Sequence, residues 1–204
     1  MKTSWLSLGE LHDLGIKFLP AKIDELSMPK ISRFARLYNP ENIYVAQHVR
    51  IDDFCVVSAG KGESGRIELK GYNHISVGAC LYGGAGIFIG EHVQVSVQSI
   101  LLSESDNMDG DHLIGAMYPD ALRDVRRGAI KLDDFSTVLA GCVVLPGAHL
   151  MKGSILGANS LLGERRILAP WTIHGGTPAR YLKDRARRME HAAQQLRQSG
   201  DNGQ

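Results

Sequence analysis

The stretch LDDFSTVLAGCVVLPGAHLMKGSILGANSLL, residues 132–162, repeats with a period of six. Leu132, Val138, Val144, Leu150, Leu156 and Leu162 are aliphatic, and a small residue follows four places after each of the first five: Ser136, Cys142, Ala148, Ser154 and Ser160. A step of six is neither the 3.6-residue helical period nor the alternation of a half-buried strand. It fits short strands joined by turns, each strand sending one aliphatic side chain inward. Three strands then close a triangular coil of 18 residues, predicting Leu132 beneath Leu150, Val138 beneath Leu156 and Val144 beneath Leu162. The small residue suits a crowded corner.

Upstream the rule holds with slips. Val45, Ile51 and Val57 step by six, as do Leu69, Ile75, Leu81 and Ile87, while Ile89, Val95 and Leu101 follow in a shifted phase. GKGESGR (60–66) reads as a loop between the first two runs, and the coils number roughly five, enough for a stable solenoid. The segment SESDNMDGDHLIGAMYPDALRDVRRG (103–128) breaks the repeat, and such insertions leave a solenoid on one face, where ligands are often bound. The organisation expected is an N-terminal lead-in (1–40, with a short helix over 8–14), a β-helix (41–176, carrying the 103–128 insertion), and a C-terminal turn and helix (177–204). The helix is placed at 181–198, on a Leu182, Ala186, Met189, Ala193, Leu196 stripe, with SGDNGQ frayed at the end.

Composition narrows the class. Across 204 residues the formal charge is +1, which gives no general pull toward nucleic acid or anionic membrane. Three scattered cysteines, Cys55, Cys80 and Cys142, argue against a disulfide framework and suit a reducing compartment. No basic segment followed by an apolar run marks a signal peptide, and the uncharged stretches 75–90 and 136–151 are Gly-interrupted and too short for a membrane helix. The chain reads as a soluble cytoplasmic protein.

Three further stretches carry a resemblance. The hexads followed by WTIHGGTPARYLKDR (171–185) resemble the hexapeptide-repeat acyltransferases that modify sugars, with their G-x-P-A-[KR] turn after the last coil. RIDDFC (50–55) and LYGGAGIFIG (81–90) are similar to members acting on nucleotide-linked dideoxy amino sugars such as dTDP-4-amino-4,6-dideoxyglucose. The resemblance implies an all-β solenoid, specifically a left-handed parallel β-helix, with an inserted loop and a C-terminal α-helix. It also implies a homotrimer with interfacial active sites, acetyl-CoA as co-substrate along the coil edges, a nucleotide-sugar acceptor and no metal. The expected activity is acyl transfer from acyl-CoA to the sugar amino group, for surface polysaccharide biosynthesis. O-acetylation of a sugar hydroxyl is the alternative.

Transfer from a thioester needs acceptor positioning, one proton acceptor and stabilisation of a developing oxyanion. His74, immediately before inward Ile75 in GYNHISVG, should face outward, and it is the leading base; relatives tend to carry a His there. Asn73 or Asp53 could orient its ring. Sugar O-acetyltransferases place a catalytic His in the loop after the strand matching 99–102; here that loop offers Asp106, and then His112, as runner-up base and substrate contact. For CoA, the family pattern points to Ala140, Gly141, Gly157 and Ala158 along the pantetheine arm and to Thr177, Pro178 and Ala179 near the adenine. Arg180, Lys183 and Arg185 are its phosphate partners. His48, His92 and His149 occupy repeat positions expected to be exposed. Leu139, Leu145 and Met151 are bulky where the family often has Gly or Asp, and they should point outward.

A third possibility is a non-catalytic β-helix, or a relative of the γ-class carbonic anhydrases. His74 and His92, 18 residues apart, would then share a zinc ion across one coil.

Overall fold

In a computed structural model that describes residues 4–19 and 27–201, the chain is a parallel β-helix of about seven turns. Three parallel sheets form its faces. The first holds seven strands, from Lys17–Phe18 to Ile167–Leu168. The second runs from Lys30–Ile31 to Thr172–Gly175, and the third from Arg36–Tyr38 to Leu161–Leu162. The predicted stacking holds residue for residue: Leu132 pairs with Leu150, Val138 with Leu156 and Val144 with Leu162. All six side chains are buried, and the small residues Ser136, Cys142, Ala148 and Ser154 are wholly excluded from solvent at the corners.

The coil count differs from the expectation. Strands over 17–18, 30–31 and 36–38 add a first turn from residues read as lead-in, and 167–175 continue the helix past the last clean hexad. Residues 20–26, within that lead-in, lie outside the described residues. The short N-terminal helix forms over Leu8–Asp13, started by a capping box in which Ser7 and Glu10 satisfy each other's backbone N–H groups.

Both slips in the repeat have a local cause. Ile87 does not continue the run from Leu81; it pairs with Ile67 while Ile89 pairs with Leu69, so both face inward from one strand. The GGAG segment adds two residues to that coil. The loop at 60–66 folds as a 3-10 turn, Glu63–Gly65, and leaves the neighbouring strands in register. The long insertion departs after Ile100–Leu102 as an antiparallel hairpin, Glu104–Asp106 against Val125–Arg127.

One corner carries a column of rings on left-handed backbone: His48, Tyr72, His92, Phe135 and Trp171, at φ 58–62°. The first four stack at centroid distances of 4.6, 4.8 and 4.9 Å. His48 and His92 are therefore rungs of a stack rather than plain exposed side chains, favourable contacts for flat rings in adjacent coils.

The C-terminal helix starts later than its stripe suggests. Arg180–Asp184 is instead an antiparallel strand on Thr172–Gly175, and the helix spans Met189–Asp201. An apolar stripe at helical spacing does not outweigh an open sheet edge waiting for a partner. The fraying expected over residues 199–204 does not begin at 199, because the helix continues to Asp201; residues 202–204 lie outside the described residues. No helix among the described residues is long and apolar enough to cross a membrane.

Candidate active site

His74 opens a two-residue strand of the second face, with Ile75 inward and the imidazole outward, 40% exposed. Its neighbours in register are Arg50 one coil below and Gln94 one coil above, followed by Thr137. The ring does not contact Asp53 or Asn73. Its Nε2 meets the carboxylate of Asp52 at 2.8 Å, and the other oxygen of Asp52 accepts from Arg50 Nε at 2.6 Å. Asp52 is 7% exposed. Burial alone would raise its pKa, but the His74 and Arg50 hydrogen bonds outweigh that and hold the carboxyl below the usual range. Arg50 in turn lies over the indole of Trp5, 5.3 Å from its centroid. Ser76 and Ser96 follow Asp52 at the same register, so the strip beside His74 carries short side chains.

Asn73 points inward, buried at 2%, and donates to the Gly90 carbonyl at 2.7 Å. Asp53 turns away from the ring and accepts from the Ser32 hydroxyl. Its backbone nevertheless begins a useful line. Along the corner between the second and third faces, Gly78 N–H donates to Asp53 O, Gln98 to Val77, Gly141 to Val97 and Asn159 to Ala140. Ala140, Gly141, Gly157 and Ala158 thus lie on one edge. The Thr177–Pro178–Ala179 turn, with a cis Thr177–Pro178 bond, closes its end, where Gly176 accepts from Leu161 N–H and Ala179 donates to Leu161 O. Gly141 holds φ +68°, and a Cβ there would fall 2.3 Å from the Asn159 side chain. From His74 to the coil of Ala140 is two strand spacings, about 10 Å. An extended arm on this edge could therefore bring its end to the imidazole.

The basic residues divide. Arg180 and Lys183 are exposed on the last strand. Arg185 is on the aromatic corner instead, where its Nη1 donates to the carbonyls of Phe135 (2.8 Å) and Gly153 (2.9 Å) beside the Trp171 ring. His174, buried enough to lower its pKa, meets Thr172 Oγ1 at 3.0 Å.

The insertion candidates are also separated. Asp106 accepts from Gly115 N–H at 2.9 Å and from Arg123 at 2.7 and 3.1 Å. Those Arg123 bonds hold its carboxyl below the ordinary range, so at neutral pH it is an ionised tie across the loop and a weak proton acceptor. His112 is exposed and gathers with Asp109 and Asp124, both of which accept from Asn107. Nor do His74 and His92 face each other, since one is on a flat face and the other within the ring stack.

Asp52 is the residue the sequence did not single out. Its partner is 22 positions away because the 60–66 loop adds six residues to that coil, which masks the Arg50–His74 register behind a spacing of 24.

No family model matches the chain. It is 27% identical over 180 residues, 88% of each sequence, to an Escherichia coli protein named dTDP-4-amino-4,6-dideoxy-D-glucose acyltransferase. The solved structure of AntD, an N-acyltransferase from Bacillus cereus in complex with dTDP and 3-hydroxybutyryl-CoA, matches with a TM-score of 0.87 at 28% identity, covering 98% of this chain and 99% of that one. A variant of AntD holding dTDP-4-amino-4,6-dideoxyglucose and coenzyme A gives a TM-score of 0.86 at 28% identity, with 97% and 99% covered. In fold and along nearly its full length in sequence, the chain is thus similar to the hexapeptide-repeat acyltransferases of dTDP-linked amino sugars.

Proposed function

We propose that the protein transfers an acyl group from acyl-CoA to the amino group of a nucleotide-linked amino sugar, with dTDP-4-amino-4,6-dideoxyglucose or a close relative as acceptor. What carries the reading is the full-length likeness to AntD, whose structures hold both a dTDP sugar and CoA. The edge carrying Ala140, Gly141, Gly157 and Ala158 and ending at Thr177–Ala179 has short side chains, along which a pantetheine arm would lie. Arg180 and Lys183 supply cations for its phosphates.

His74 accepts the proton that the attacking amine loses. The amine nitrogen bonds to the thioester carbonyl carbon, the C–S bond breaks, and the proton passes from the imidazolium to the departing CoA thiolate. No metal takes part. His74 stands on an open sheet face, so a second subunit is needed to wall the acceptor in, and a homotrimer supplies it. The setting is cytoplasmic synthesis of surface polysaccharide precursors.

Thiol release followed with DTNB tests this. dTDP-4-amino-4,6-dideoxyglucose should release CoA thiol and its 4-hydroxyl counterpart should not. The reverse preference would move the assignment to O-acylation. His74→Ala should lower kcat at least about 100-fold, the scale of a lost general base.

A further inference from the structure

Between the two ring nitrogens of His74 the structure makes a choice. Nε2 faces Asp52 at 2.8 Å, and no other hydrogen bond from the ring is present among the described residues. Asp52 is buried and also grips Arg50 at 2.6 Å, so its carboxylate has little freedom to follow the ring elsewhere. The Arg50–His74 register holds both donors in adjacent coils of one sheet. An ionised carboxylate only accepts hydrogen bonds, so the nitrogen facing it carries the hydrogen, and a neutral imidazole then keeps its lone pair on the opposite nitrogen.

We infer that Asp52 is a positioning residue that fixes His74 as the Nε2–H tautomer, leaving Nδ1 as the atom that takes the proton from the acceptor amine. This rests on the acyl-transfer reading for the identity of the acceptor. The tautomer itself does not depend on that reading. Arg50 has a defined part: by sharing the carboxylate it keeps Asp52 ionised and aimed. Lys30, Arg50, Asp52 and Asp53 are the charged groups on this stretch of the face, and Asp53 is turned toward Ser32.

The test has two arms on the full chain. The first needs no substrate: 15N chemical shifts of the His74 imidazole, assigned by comparison with His74→Ala and followed upward in pH until the ring is neutral, report which nitrogen keeps its hydrogen. A protonated Nε2 and unprotonated Nδ1 are expected; the opposite pattern overturns the inference. The second arm is Asp52→Asn, isosteric and able to offer either an oxygen or an amide to the ring. It should lower kcat about 10- to 100-fold, the range for losing a partner that orients a working imidazole, with KM for acyl-CoA little changed. Asp52→Glu should recover part of kcat if its 15N pattern matches the wild type. If Asp52→Asn keeps both the tautomer and kcat while His74→Ala loses activity, Asp52 does not position the base. If no amino sugar supports thiol release by the wild type, the acyl-transfer reading fails, yet the 15N pattern still decides the tautomer.

Discussion

Gly153 lies directly under the indole of Trp171: a single carbon added at Gly153 would come within 2.4 Å of the ring. This explains an irregularity in the aromatic column. Phe135 and Trp171 are two coils apart, about 9.6 Å by strand spacing, yet their ring centroids are only 6.2 Å apart. The glycine rung between them has no side chain, so the indole leans into its place. Gly153 is also at φ +70°, where an L side chain is strained.

Gly153→Ala should therefore be costly for both reasons, by about 2–4 kcal/mol when steric displacement is added to backbone strain. Gly163→Ala makes the control, since there the new carbon would meet only Arg166 Cγ at 3.5 Å. Urea unfolding of the two variants should separate them clearly. Equal midpoints would mean the indole moves aside without loss.

Leu150 is wholly buried between Leu132 and Leu168 in the first face. Leu150→Ala should remove about 2–5 kcal/mol, the usual cost of a core cavity. A solenoid's stability is close to a sum of neighbouring-coil terms, so the loss should not be relieved by rearrangement at distant coils. Denaturant titration checks the size, and an unchanged m-value checks that the same surface still unfolds as one unit.

The six-residue step made the faces legible because one inward aliphatic per strand is a constraint that surface chemistry cannot blur. Register between the two coils of residues 132–162 could be read directly, down to Leu132 on Leu150. The step broke wherever insertions were absorbed at corners: six residues at 60–66 and the hairpin after Leu102 were legible as a loop and an insertion, whereas the two residues at GGAG showed only as a shifted phase. The site suffered most, because its contacts are between coils. His74 could be turned outward by alternation from Ile75, but choosing Asp52 over Asp53 as its partner required the exact number of residues in the coil below. Arg185 shows a different limit: a basic residue after the turn motif reads as a phosphate ligand, while the structure adds two backbone carbonyls that hold its guanidinium, which spacing does not reveal.

Acid should loosen the N-terminal turn first. Hydrogen bonds from Arg33, and then from Ser7, lower the Glu10 pKa to about 2. A carboxyl whose folded pKa lies below its unfolded one stabilises the fold above the unfolded value and stops doing so as pH falls through the folded value. Arg33→Ala should hence lower the melting temperature at pH 7, and the gap from the wild type should close between about pH 4.5 and pH 2. Thermal melts across that range test it. A gap that stays constant to pH 2 would assign the effect to Arg33 packing instead of its pairing with Glu10.

The basic residues near the C-terminus should respond in two different ways. Arg180 and Lys183 are exposed on the strand that follows the Thr177–Ala179 turn, so each can lose its charge with little structural consequence. Replacing either with Ala should raise KM for acyl-CoA about five-fold, equivalent to ~1 kcal/mol of lost phosphate contact, and added salt should shrink the difference. Arg185 ties Phe135 O and Gly153 O together beneath Trp171, and its own N–H donates to Trp171 O at 2.8 Å. Arg185→Ala should leave KM for acyl-CoA unchanged and cost about 1–3 kcal/mol of stability, because two partly buried carbonyls lose their donor. Steady-state kinetics and thermal unfolding on the same three variants decide the matter. A raised KM in Arg185→Ala at full stability would place its guanidinium at the CoA phosphates after all, and would require the strand over Arg180–Asp184 to release it from the aromatic corner.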